Sequence, residues 1–224
     1  IRTSFLGAAR QVGRSCFLVQ TPESRILLDC GIDPSEDGPE SYPYLDAPEF
    51  NIGDIDAIII SHSHLDHCGL LPYIFKYGYK GPIYCTLPTR DIMALLQLDM
   101  IKIQRGEGKD PLYTSEEVRQ MVLHTVCLDY DEVTDITPDV RVTLYNAGHV
   151  LGSAIVHMNI GNGLHNLVYT GDLKYGRTNV LEAANTQFPR IETLIIESTY
   201  GGKENILSEN EAEEYMVNLI KATF

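Results

Sequence analysis

The sequence predicts an α/β fold in which strands and helices form a mixed sandwich. Short β-branched segments recur along the chain with turn residues between them, which is typical of strands. The first of these strands are adjacent and read as a hairpin, whereas later strands are interleaved with helical patterns. This order favours a layered sandwich over the doubly wound parallel sheet of a Rossmann fold.

Eight segments have the composition of strands. They are residues 15–20, 25–29, 57–60, 82–85, 140–146, 154–160, 166–170 and 193–197. The turn T-P-E-S predicts a hairpin between the first two segments, and G-N-G-L-H predicts another between the sixth and the seventh. Residues 33–50 are rich in Pro, Gly and acidic side chains and lack periodicity, so they are expected to form a long loop.

Three further segments have helical patterns. They are residues 89–104, 114–124 and 208–222. The second begins with a capping box of Thr114 and Glu117, and the third with one of Ser208 and Glu211. The first and third also carry apolar side chains at helical spacing, which predicts packing faces. These side chains are Ile92, Leu95, Leu96 and Ile103 in the first helix, and Ala212, Tyr215, Met216, Leu219 and Ile220 in the last.

Composition narrows the class of protein. The 224 residues are 44% hydrophobic, which supports a packed core, and the formal net charge of −14 argues against a broad basic surface that binds nucleic acid unaided. No apolar run is long enough to cross a bilayer, so no membrane partner is expected. The five cysteines include no C-x-x-C pair, which excludes a zinc ribbon and indicates buried thiols in a cytoplasmic protein. The missing initiator Met suggests a segment of a longer protein.

The sequence S-H-S-H-L-D-H-C-G, residues 61–69, carries the strongest chemical signal, and we refer to it as the metal loop. It follows the apolar run A-I-I-I, so a strand delivers it to a strand end. His62 and His64 alternate along an extended backbone and are expected to point the same way, while Asp66 and His67 aim at a second point. Imidazole and carboxylate together suit zinc. This loop offers more ligands than one four-coordinate ion needs, which implies two ions. The alternative is a loop of three surface histidines.

The motif H-x-H-x-D-H resembles the metallo-β-lactamase superfamily, and other motifs of that superfamily follow in order. L-L-D-C-G supplies Asp29, A-G-H-V-L-G-S-A supplies His149, and Y-T-G-D supplies Asp172. I-I-E-S-T-Y-G places Glu197 where the β-CASP branch has its first diagnostic acidic residue. The resemblance implies an αββα metallo-β-lactamase sandwich, truncated at its C-terminal part. Residues 1–202 are expected to form the N-terminal part of that domain, and residues 203–224 the start of a β-CASP domain.

The resemblance also implies a role for each site residue. The first zinc ion is expected to be held by His62, His64, His149 and Asp172. The second is expected to be held by Asp66, His67 and the bridging Asp172. Asp66, Glu197 and Asp29 form the catalytic set: Asp29 orients the metal loop, and Glu197 positions a histidine that assists the leaving group. That histidine and the last ligand of the second zinc ion lie beyond this sequence in family members, so the second site is expected to be incomplete here.

Together with G-x-x-x-x-V-G-R-S-C, residues 7–16, the motifs look most like the archaeal relatives of the endonuclease subunit of the cleavage and polyadenylation specificity factor. The resemblance implies hydrolysis of single-stranded RNA in 3′-end processing or transcription termination, giving a 5′-phosphate and a 3′-hydroxyl. It also implies KH-type RNA-binding domains on the same polypeptide and homodimerisation. Three alternatives stay open: an RNase J-like 5′-exoribonuclease, an inactive scaffold subunit, and a small-molecule hydrolase, which should lack Glu197 in its E-S-T-Y setting.

Weaker signals surround these motifs. Four cations near them are candidates for holding RNA phosphates, and surface solvation explains each equally well. They are Arg10, Arg14, Lys174 and Arg177. Three tyrosines are candidates for stacking on bases, although packing is the better explanation. They are Tyr42, Tyr44 and Tyr200. The remaining histidines, His124, His157 and His165, are expected in the core or on the surface rather than at the metals.

Overall fold

The computed structural model describes residues 1–203 and 207–223, with the side chain of Glu209 left out of that description. Six strands form the first sheet, in the order β1-β2-β3-β4-β5-β6. They are β1 (Arg2–Phe5), β2 (Phe17–Gln20), β3 (Arg25–Leu28), β4 (Ala57–Ile59), β5 (Ile83–Cys85) and β6 (Thr125–Cys127). β1, β2 and β3 are antiparallel, and from β3 to β6 each strand runs parallel to the next. The predicted hairpin at T-P-E-S is therefore confirmed.

Five strands form the second sheet, in the order β11-β10-β9-β8-β7. They are β7 (Val133–Thr137), β8 (Val140–Asn146), β9 (Ala154–Ile160), β10 (His165–Tyr169) and β11 (Thr193–Ile195). Neighbours are antiparallel except β10 and β11, which are parallel. The second predicted hairpin, between β9 and β10, is confirmed. Sequence reasoning missed β1, β6 and β7, which are short and lie towards sheet edges.

Five α-helices and two short 3-10 helices complete the described part of the chain. The α-helices are α1 (Leu65–Cys68), α2 (Leu71–Lys76), α3 (Leu87–Gly106), α4 (Ser115–Leu123) and α5 (Glu209–Thr223). The 3-10 helices are Gly38–Ser41 and Ile52–Asp54. Both capping boxes are confirmed: the Thr114 N–H donates to Glu117 Oε2 at 2.7 Å, and the Ser208 N–H to Glu211 Oε2 at 2.8 Å. None of the described helices is both long and apolar enough to cross a membrane.

The two sheets pack face to face and bury one apolar core between them, which includes Val19, Ile59, Val156 and Leu167. The other face of the first sheet is covered by helices, over a second core. The outer face of the second sheet is covered in part by an irregular segment, where Ala184 and Phe188 pack on Val168. This layering agrees with the sandwich that the resemblance implies. Within the described residues, the second helical layer of the full αββα arrangement is not formed.

The buried face of α3 differs from the predicted one. Leu95 and Ile103 are 66% and 53% exposed, whereas Met93 and Gln97 are fully buried. The Gln97 side chain shows how a polar residue is accommodated on the buried face of α3. The Gln97 amide donates to the Cys68 carbonyl at 2.9 Å, which makes it compatible with burial. A prediction from apolar spacing alone does not place a glutamine on the buried face of a helix.

The apolar stripe of α5 is also exposed. Tyr215, Met216, Leu219 and Ile220 are each more than half exposed, so the packing that their spacing predicts is not made by the described residues. Residues 204–206 and 224 of the predicted β-CASP segment lie outside the described part of the chain. The predicted long loop over residues 33–50 is confirmed as largely irregular, with one 3-10 turn inside it.

Candidate metal centre

The sequence-predicted site residues converge at one end of the sandwich, where strands of both sheets finish. Asp29 follows β3 and the metal loop follows β4 in the first sheet. In the second sheet, His149 follows β8, Asp172 follows β10 and Glu197 follows β11. Side chains that lie far apart in the sequence therefore meet at one edge.

The four residues predicted for the first zinc ion are brought together. One ligand atom from each of His62, His64, His149 and Asp172 lies within 4.8 Å of the other three. His64 Nδ1 lies 3.1 Å from His62 Nε2 and 3.2 Å from His149 Nε2. His149 Nε2 in turn lies 3.7 Å from Asp172 Oδ2. Separations of this size are close to those between the ligands of one tetrahedral zinc ion.

The electrostatics of this group also fit a cation. Burial, followed by the charges of the neighbouring histidines, lowers the pKa of His62 well below its ordinary value. Burial also lowers the pKa of His149, and the charge of Asp172 opposes this only in part. Both imidazoles are therefore held neutral. Neutral imidazoles that converge with a carboxylate form a donor set that zinc prefers.

A second set of side chains shares Asp172 with the first. His67 Nε2 lies 3.3 Å from Asp172 Oδ1 and 3.6 Å from Asp66 Oδ2. The two oxygens of Asp172 thus face different sets, Oδ1 towards His67 and Oδ2 towards His149. This set contains one imidazole and two carboxylates. Within the described residues, only the first set brings four candidate ligand atoms within 4.8 Å of one another.

Asp29 forms hydrogen bonds to the metal loop. It is fully buried and has a left-handed backbone conformation, with φ 57°. Its Oδ1 accepts from the Ser61 N–H at 2.7 Å, and its Oδ2 accepts from the Ser61 hydroxyl at 2.7 Å. The same Oδ2 accepts from the Tyr169 hydroxyl at 2.6 Å and from His67 Nδ1 at 2.7 Å. Because a carboxylate only accepts, His67 Nδ1 is protonated, and Nε2 is the nitrogen that faces the site.

The same contacts control the charge of His67. Burial lowers its pKa, but hydrogen bonds to Asp172 and Asp29 and the charges of Asp29 and Asp66 outweigh burial and raise the pKa to about 10. Burial raises the pKa of Asp172, and the hydrogen bond and charge of His67 reverse this to a net lowering. His67 is therefore an imidazolium between carboxylates when no metal is present.

The backbone of the metal loop fits closely against the segment that follows β3. The Cys30 N–H donates to the His67 carbonyl at 2.8 Å, and the Ile32 N–H to the Leu65 carbonyl at 2.9 Å. Between these two bonds lies Gly31, where an added Cβ would stand 1.7 Å from the Asp66 carbonyl oxygen. Glycine in L-L-D-C-G is thus required by close approach of two backbones.

Residues 147–154, which we call the His149 loop, are held by hydroxyl groups. The Ser153 hydroxyl oxygen accepts from the N–H groups of His149 and Val150, each at 3.1 Å. The hydroxyls of Thr86 and Thr89, at the start of α3, donate to the Gly152 carbonyl at 2.7 and 2.9 Å. Both threonines are buried. Sequence reasoning missed them, as it missed Ser61 and Tyr169, because only the fold brings them to the site.

Glu197 lies beside Asp172 but does not join either ligand set. Its Oε1 accepts from the Leu173 N–H at 2.9 Å, and its Oε2 from the Thr199 N–H at 3.3 Å. The carboxylate thus ties the segment after β10 to the segment after β11. Glu197 also lines a cavity of about 550 Å³ whose floor includes Asp66, His67 and Asp172.

Among the weaker candidates, the prediction for Arg14 is wrong. Its side chain is not available to phosphate, because Arg14 is only 7% exposed. It donates to the carbonyls of Glu40 and Tyr42 at 3.0 and 3.1 Å and lies over the ring of Tyr44, 4.9 Å from its centroid. Arg14 therefore anchors the long loop, and its charge is compensated by backbone oxygens and an aromatic face.

The other weak candidates differ in their surroundings. Arg10 lines the cavity, whereas Arg177 forms an exposed ion pair with Glu182 at 3.1 Å. Tyr200 is exposed, with Lys203 Nζ 4.7 Å from its ring centroid. The three remaining histidines bond locally away from the site, as predicted. His124 approaches the Gln120 carbonyl, His157 the Arg190 carbonyl and His165 the Thr193 hydroxyl.

Known proteins share both the sequence and the fold. The sequence profile of the metallo-beta-lactamase superfamily domain matches residues 18–198. The chain is 56% identical over 225 residues to transcription termination factor FttA of Methanocaldococcus jannaschii, covering 100% of this chain and 35% of that protein. It is 54% identical over 231 residues to transcription termination factor FttA of Pyrococcus horikoshii, covering 100% of this chain and 36% of that protein. The chain therefore spans about a third of the length of these curated relatives.

A solved structure gives the same family. MEM-A1, a subclass B3 metallo-beta-lactamase isolated from a soil metagenome library, matches with a TM-score of 0.50 and 25% identity, covering 75% of this chain and 59% of that enzyme. The layered fold and the clustered histidines agree with the profile match, which extends over most of the sequence. The motifs in the metal loop had predicted this result: the chain belongs to the metallo-β-lactamase superfamily.

Proposed function

We propose that this chain carries the metal-binding part of a zinc-dependent endoribonuclease that hydrolyses phosphodiester bonds of single-stranded RNA, in RNA 3′-end processing or transcription termination. One observation carries the proposal: two sets of ligands share Asp172 at the floor of an open cavity. Hydrolytic enzymes that act on phosphodiesters use two metal ions in this kind of arrangement, a few ångströms apart.

In this proposal the first zinc ion is held by His62, His64, His149 and Asp172. The second is held by Asp66, His67 and Asp172, with a further ligand from outside the described residues. Zinc ions bound there supply Lewis acidity towards phosphate oxygens and make water acidic enough to attack near neutral pH.

The protein's own groups orient and charge this site. Asp29 fixes the ring of His67 through Nδ1, so that Nε2 remains directed to the cavity. Asp66 and Asp172 provide negative charge that balances bound cations. The side chains of these two residues are 22% and 25% exposed, so both are open to a ligand in the cavity. Asp66 is the group that we propose to hold a proton at its carboxylate during the attack by water.

Glu197 has a positioning role in this proposal. Its two carboxylate oxygens are bonded to N–H groups of the segments after β10 and β11, which form one side of the cavity. From this place it orients a histidine supplied by the rest of the polypeptide, which assists the leaving group. The E-S-T-Y setting of Glu197 supports the β-CASP branch over a small-molecule hydrolase.

The named relatives support RNA as the substrate, because they are transcription termination factors. These relatives are about three times as long as this chain. The ribonuclease activity of the whole protein is therefore our proposal. KH-type RNA-binding domains on the same polypeptide and a homodimer belong to the proposal as well. The acidic net charge of −14 is consistent with RNA binding that relies on such additional domains.

The test is RNA cleavage by the full-length protein. Wild type and the double variant Asp66→Ala/His67→Ala are incubated with 5′-labelled single-stranded RNA, with and without a chelator. The matched control is His165→Ala, because this histidine bonds to Thr193 away from the site. We expect internal cuts in wild type and control that disappear in the double variant and with chelator.

The alternatives give different products. Mononucleotides released from the 5′ end would identify an RNase J-like 5′-exoribonuclease. The absence of chelator-sensitive cleavage would identify an inactive scaffold subunit. Metal analysis of the purified protein separates zinc from other divalent ions, and a metal other than zinc that restores full activity to the metal-free protein would contradict the cofactor assignment.

A further inference from the structure

The cavity beside the metal centre has two walls of different chemistry. One wall carries the aromatic rings of Phe5 and Phe17. The other is formed by residues 8–13, which we call the mouth loop. The floor between them is the second ligand set. A substrate that approaches the ligand residues through this opening therefore contacts an aromatic surface on one side. On the other side it contacts the backbone of the mouth loop and the side chain of Arg10.

The aromatic wall is a continuous row of rings that begins at the surface. Phe5, on the edge strand β1, is 53% exposed, and its ring centroid lies 5.3 Å from that of Phe17. Phe17 in turn lies 5.2 Å from Tyr169, whose hydroxyl bonds to Asp29. The inner rings are buried and fixed. The outer ring, Phe5, is held in place by Phe17 and leaves about half of its surface open.

The mouth loop has the features of an anion-contacting segment. Ala8 and Arg10 have positive φ angles of 58° and 63°, which side-chain-bearing residues rarely adopt. Across residues 1–203 and 207–223, no hydrogen bond is made by the N–H groups of residues 8–13, and Arg10 has no ion pair. Successive free N–H groups in a strained turn are suited to an anion, and Arg10 adds a full positive charge.

Buried contacts hold the mouth loop at its far end. The Arg14 N–H donates to the Ile32 carbonyl at 3.0 Å, and the Ser15 N–H to the Asp66 carbonyl at 2.8 Å. The loop is thus tied directly to the backbone of the metal loop. Its position relative to Asp66 and His67 is set by the fold, as a substrate-contacting segment requires.

We propose that this cavity binds one nucleotide adjacent to the scissile phosphate of single-stranded RNA, with its base on the exposed ring of Phe5 and its phosphate on the mouth loop and Arg10. This inference rests on the proposed ribonuclease function. Aromatic stacking accepts any base, because every base has a π face. The subsite therefore selects unpaired RNA over duplex without reading its sequence, since a base must leave its stack to reach Phe5.

The base contact is tested with abasic substrates and the full-length protein. A set of single-stranded oligoribonucleotides carries one abasic ribose at successive positions around the cut. Wild type, Phe5→Ala and Phe5→Tyr are compared, with Tyr77→Ala as control, because Tyr77 is a similarly exposed ring at the end of α2. We expect one abasic position to lower kcat/KM at least about fivefold in wild type, Phe5→Tyr and Tyr77→Ala. In Phe5→Ala we expect the intact RNA to show the same loss of kcat/KM, and the abasic substitution to cause no further loss.

The phosphate contact has its own measurement. RNA binding is measured over a range of salt concentrations for wild type, Arg10→Gln and the control Arg119→Gln, whose guanidinium pairs with Glu116 on α4. Loss of one phosphate contact reduces the slope of log affinity against log salt by about 0.7. We expect that reduction for Arg10→Gln only.

The outcomes separate this inference from the proposed function. RNA cleavage by wild type with no abasic-sensitive position, or with equal sensitivity in Phe5→Ala, overturns the base subsite and leaves the ribonuclease standing. An unchanged salt slope in Arg10→Gln overturns the phosphate contact. A full-length protein that neither cleaves nor binds single-stranded RNA overturns both the function and the subsite.

Discussion

Asp29 and His67 are joined by a hydrogen bond of 2.7 Å between Oδ2 and Nδ1, although 38 residues separate them in the sequence. One of these residues follows β3 and the other lies in α1, after β4. The parallel pairing of β3 and β4 places Leu28 opposite Ile59, so the residues just beyond both strands are neighbours. The sheet register thus brings Asp29 to Ser61 at the start of the metal loop, and α1 brings His67 to the same carboxylate. The bond determines which nitrogen His67 presents to the cavity.

The first prediction concerns Asp29→Asn. An amide in this place exchanges one accepting oxygen for a donating NH₂ group, which opposes the donors that now meet Oδ2. His67 then favours a proton on Nε2, where a metal needs a lone pair. We expect the second zinc ion to bind about 10- to 100-fold more weakly, measured by chelator competition. The control is Asp131→Asn, because Asp131 is an exposed aspartate with a similar φ of 64°. Equal losses in both variants would contradict the orienting role.

The second prediction concerns proton release on metal binding. In the metal-free protein the pKa of His67 is raised to about 10. The ring is therefore protonated at about pH 7.5, where the binding of metal is to be measured. A metal at this set must displace that proton, whereas the lowered pKa values of His62 and His149 mean that they lose none. We expect about one proton released with the second metal, and an affinity that rises about tenfold per pH unit until about pH 10.

Titration calorimetry in two buffers of different ionisation enthalpy measures this proton. The raised pKa of His67 also makes the stability of the metal-free protein depend on pH. The contribution of His67 to the free energy of unfolding is fully present below its unfolded pKa of 6.5, and it is lost as pH rises through about 10. His67→Ala should remove both effects. Metal binding without proton release at pH 7.5 would show that His67 is neutral and that Asp29, Asp66 and Asp172 do not control its charge.

The third prediction concerns the hydroxyls that hold the His149 loop. Thr86→Val and Thr89→Val each remove a donor to the buried Gly152 carbonyl while keeping the side-chain shape. The loop then loses an anchor three residues from His149, and we expect the first zinc ion to bind about tenfold more weakly. Thr86→Ser and Thr89→Ser keep the hydroxyl and should bind zinc like wild type. A valine variant with unchanged zinc affinity would leave these threonines with a purely structural role.

The sequence predicted which candidate ligand residues cluster, but it did not predict the residues that support them, and the reason is physical. The candidate ligands lie at strand ends. The local sequence around His62 and Asp172 therefore indicates both the residue types that can bind a metal and their place in the fold. Their supports, such as Tyr169 and Thr86, are ordinary residues whose importance depends on which strands become neighbours. The buried face of α3 was misread for a related reason, since Gln97 is compatible with burial only because the Cys68 carbonyl is in reach.

The fourth prediction separates two arginines that the sequence alone presents as equivalents. Arg14 is buried and bonded to two carbonyls, whereas Arg10 is exposed in the mouth loop. We expect Arg14→Ala to lower the free energy of unfolding by about 3 kcal/mol, because it removes charged hydrogen bonds to two part-buried carbonyls together with the packing of a buried side chain. Arg10→Ala should stay within about 0.5 kcal/mol of wild type. Urea unfolding measures both, and similar values for the two variants would contradict the anchoring role of Arg14.

The last prediction concerns Gly31→Ala, which tests the close fit beneath the metal loop. The added Cβ stands 1.7 Å from the Asp66 carbonyl oxygen and 2.6 Å from the His67 nitrogen, so one of the two backbones must move. We expect a loss of more than about 3 kcal/mol in the free energy of unfolding, because the clash is with backbone and no side chain can rotate away.

The matched control is Gly106→Ala at the end of α3, where an added Cβ meets nothing within 4 Å. Alanine is the better helix former, so this variant should gain about 0.5–1 kcal/mol. The two substitutions thus have opposite signs for the same chemical change. Zinc binding adds a second readout: Gly31→Ala shifts Asp66 and His67 and should weaken the second ion more than the first, since His149 and His64 do not lie against Gly31. Equal weakening of both ions would indicate general unfolding of the strand ends instead of a local displacement of the metal loop.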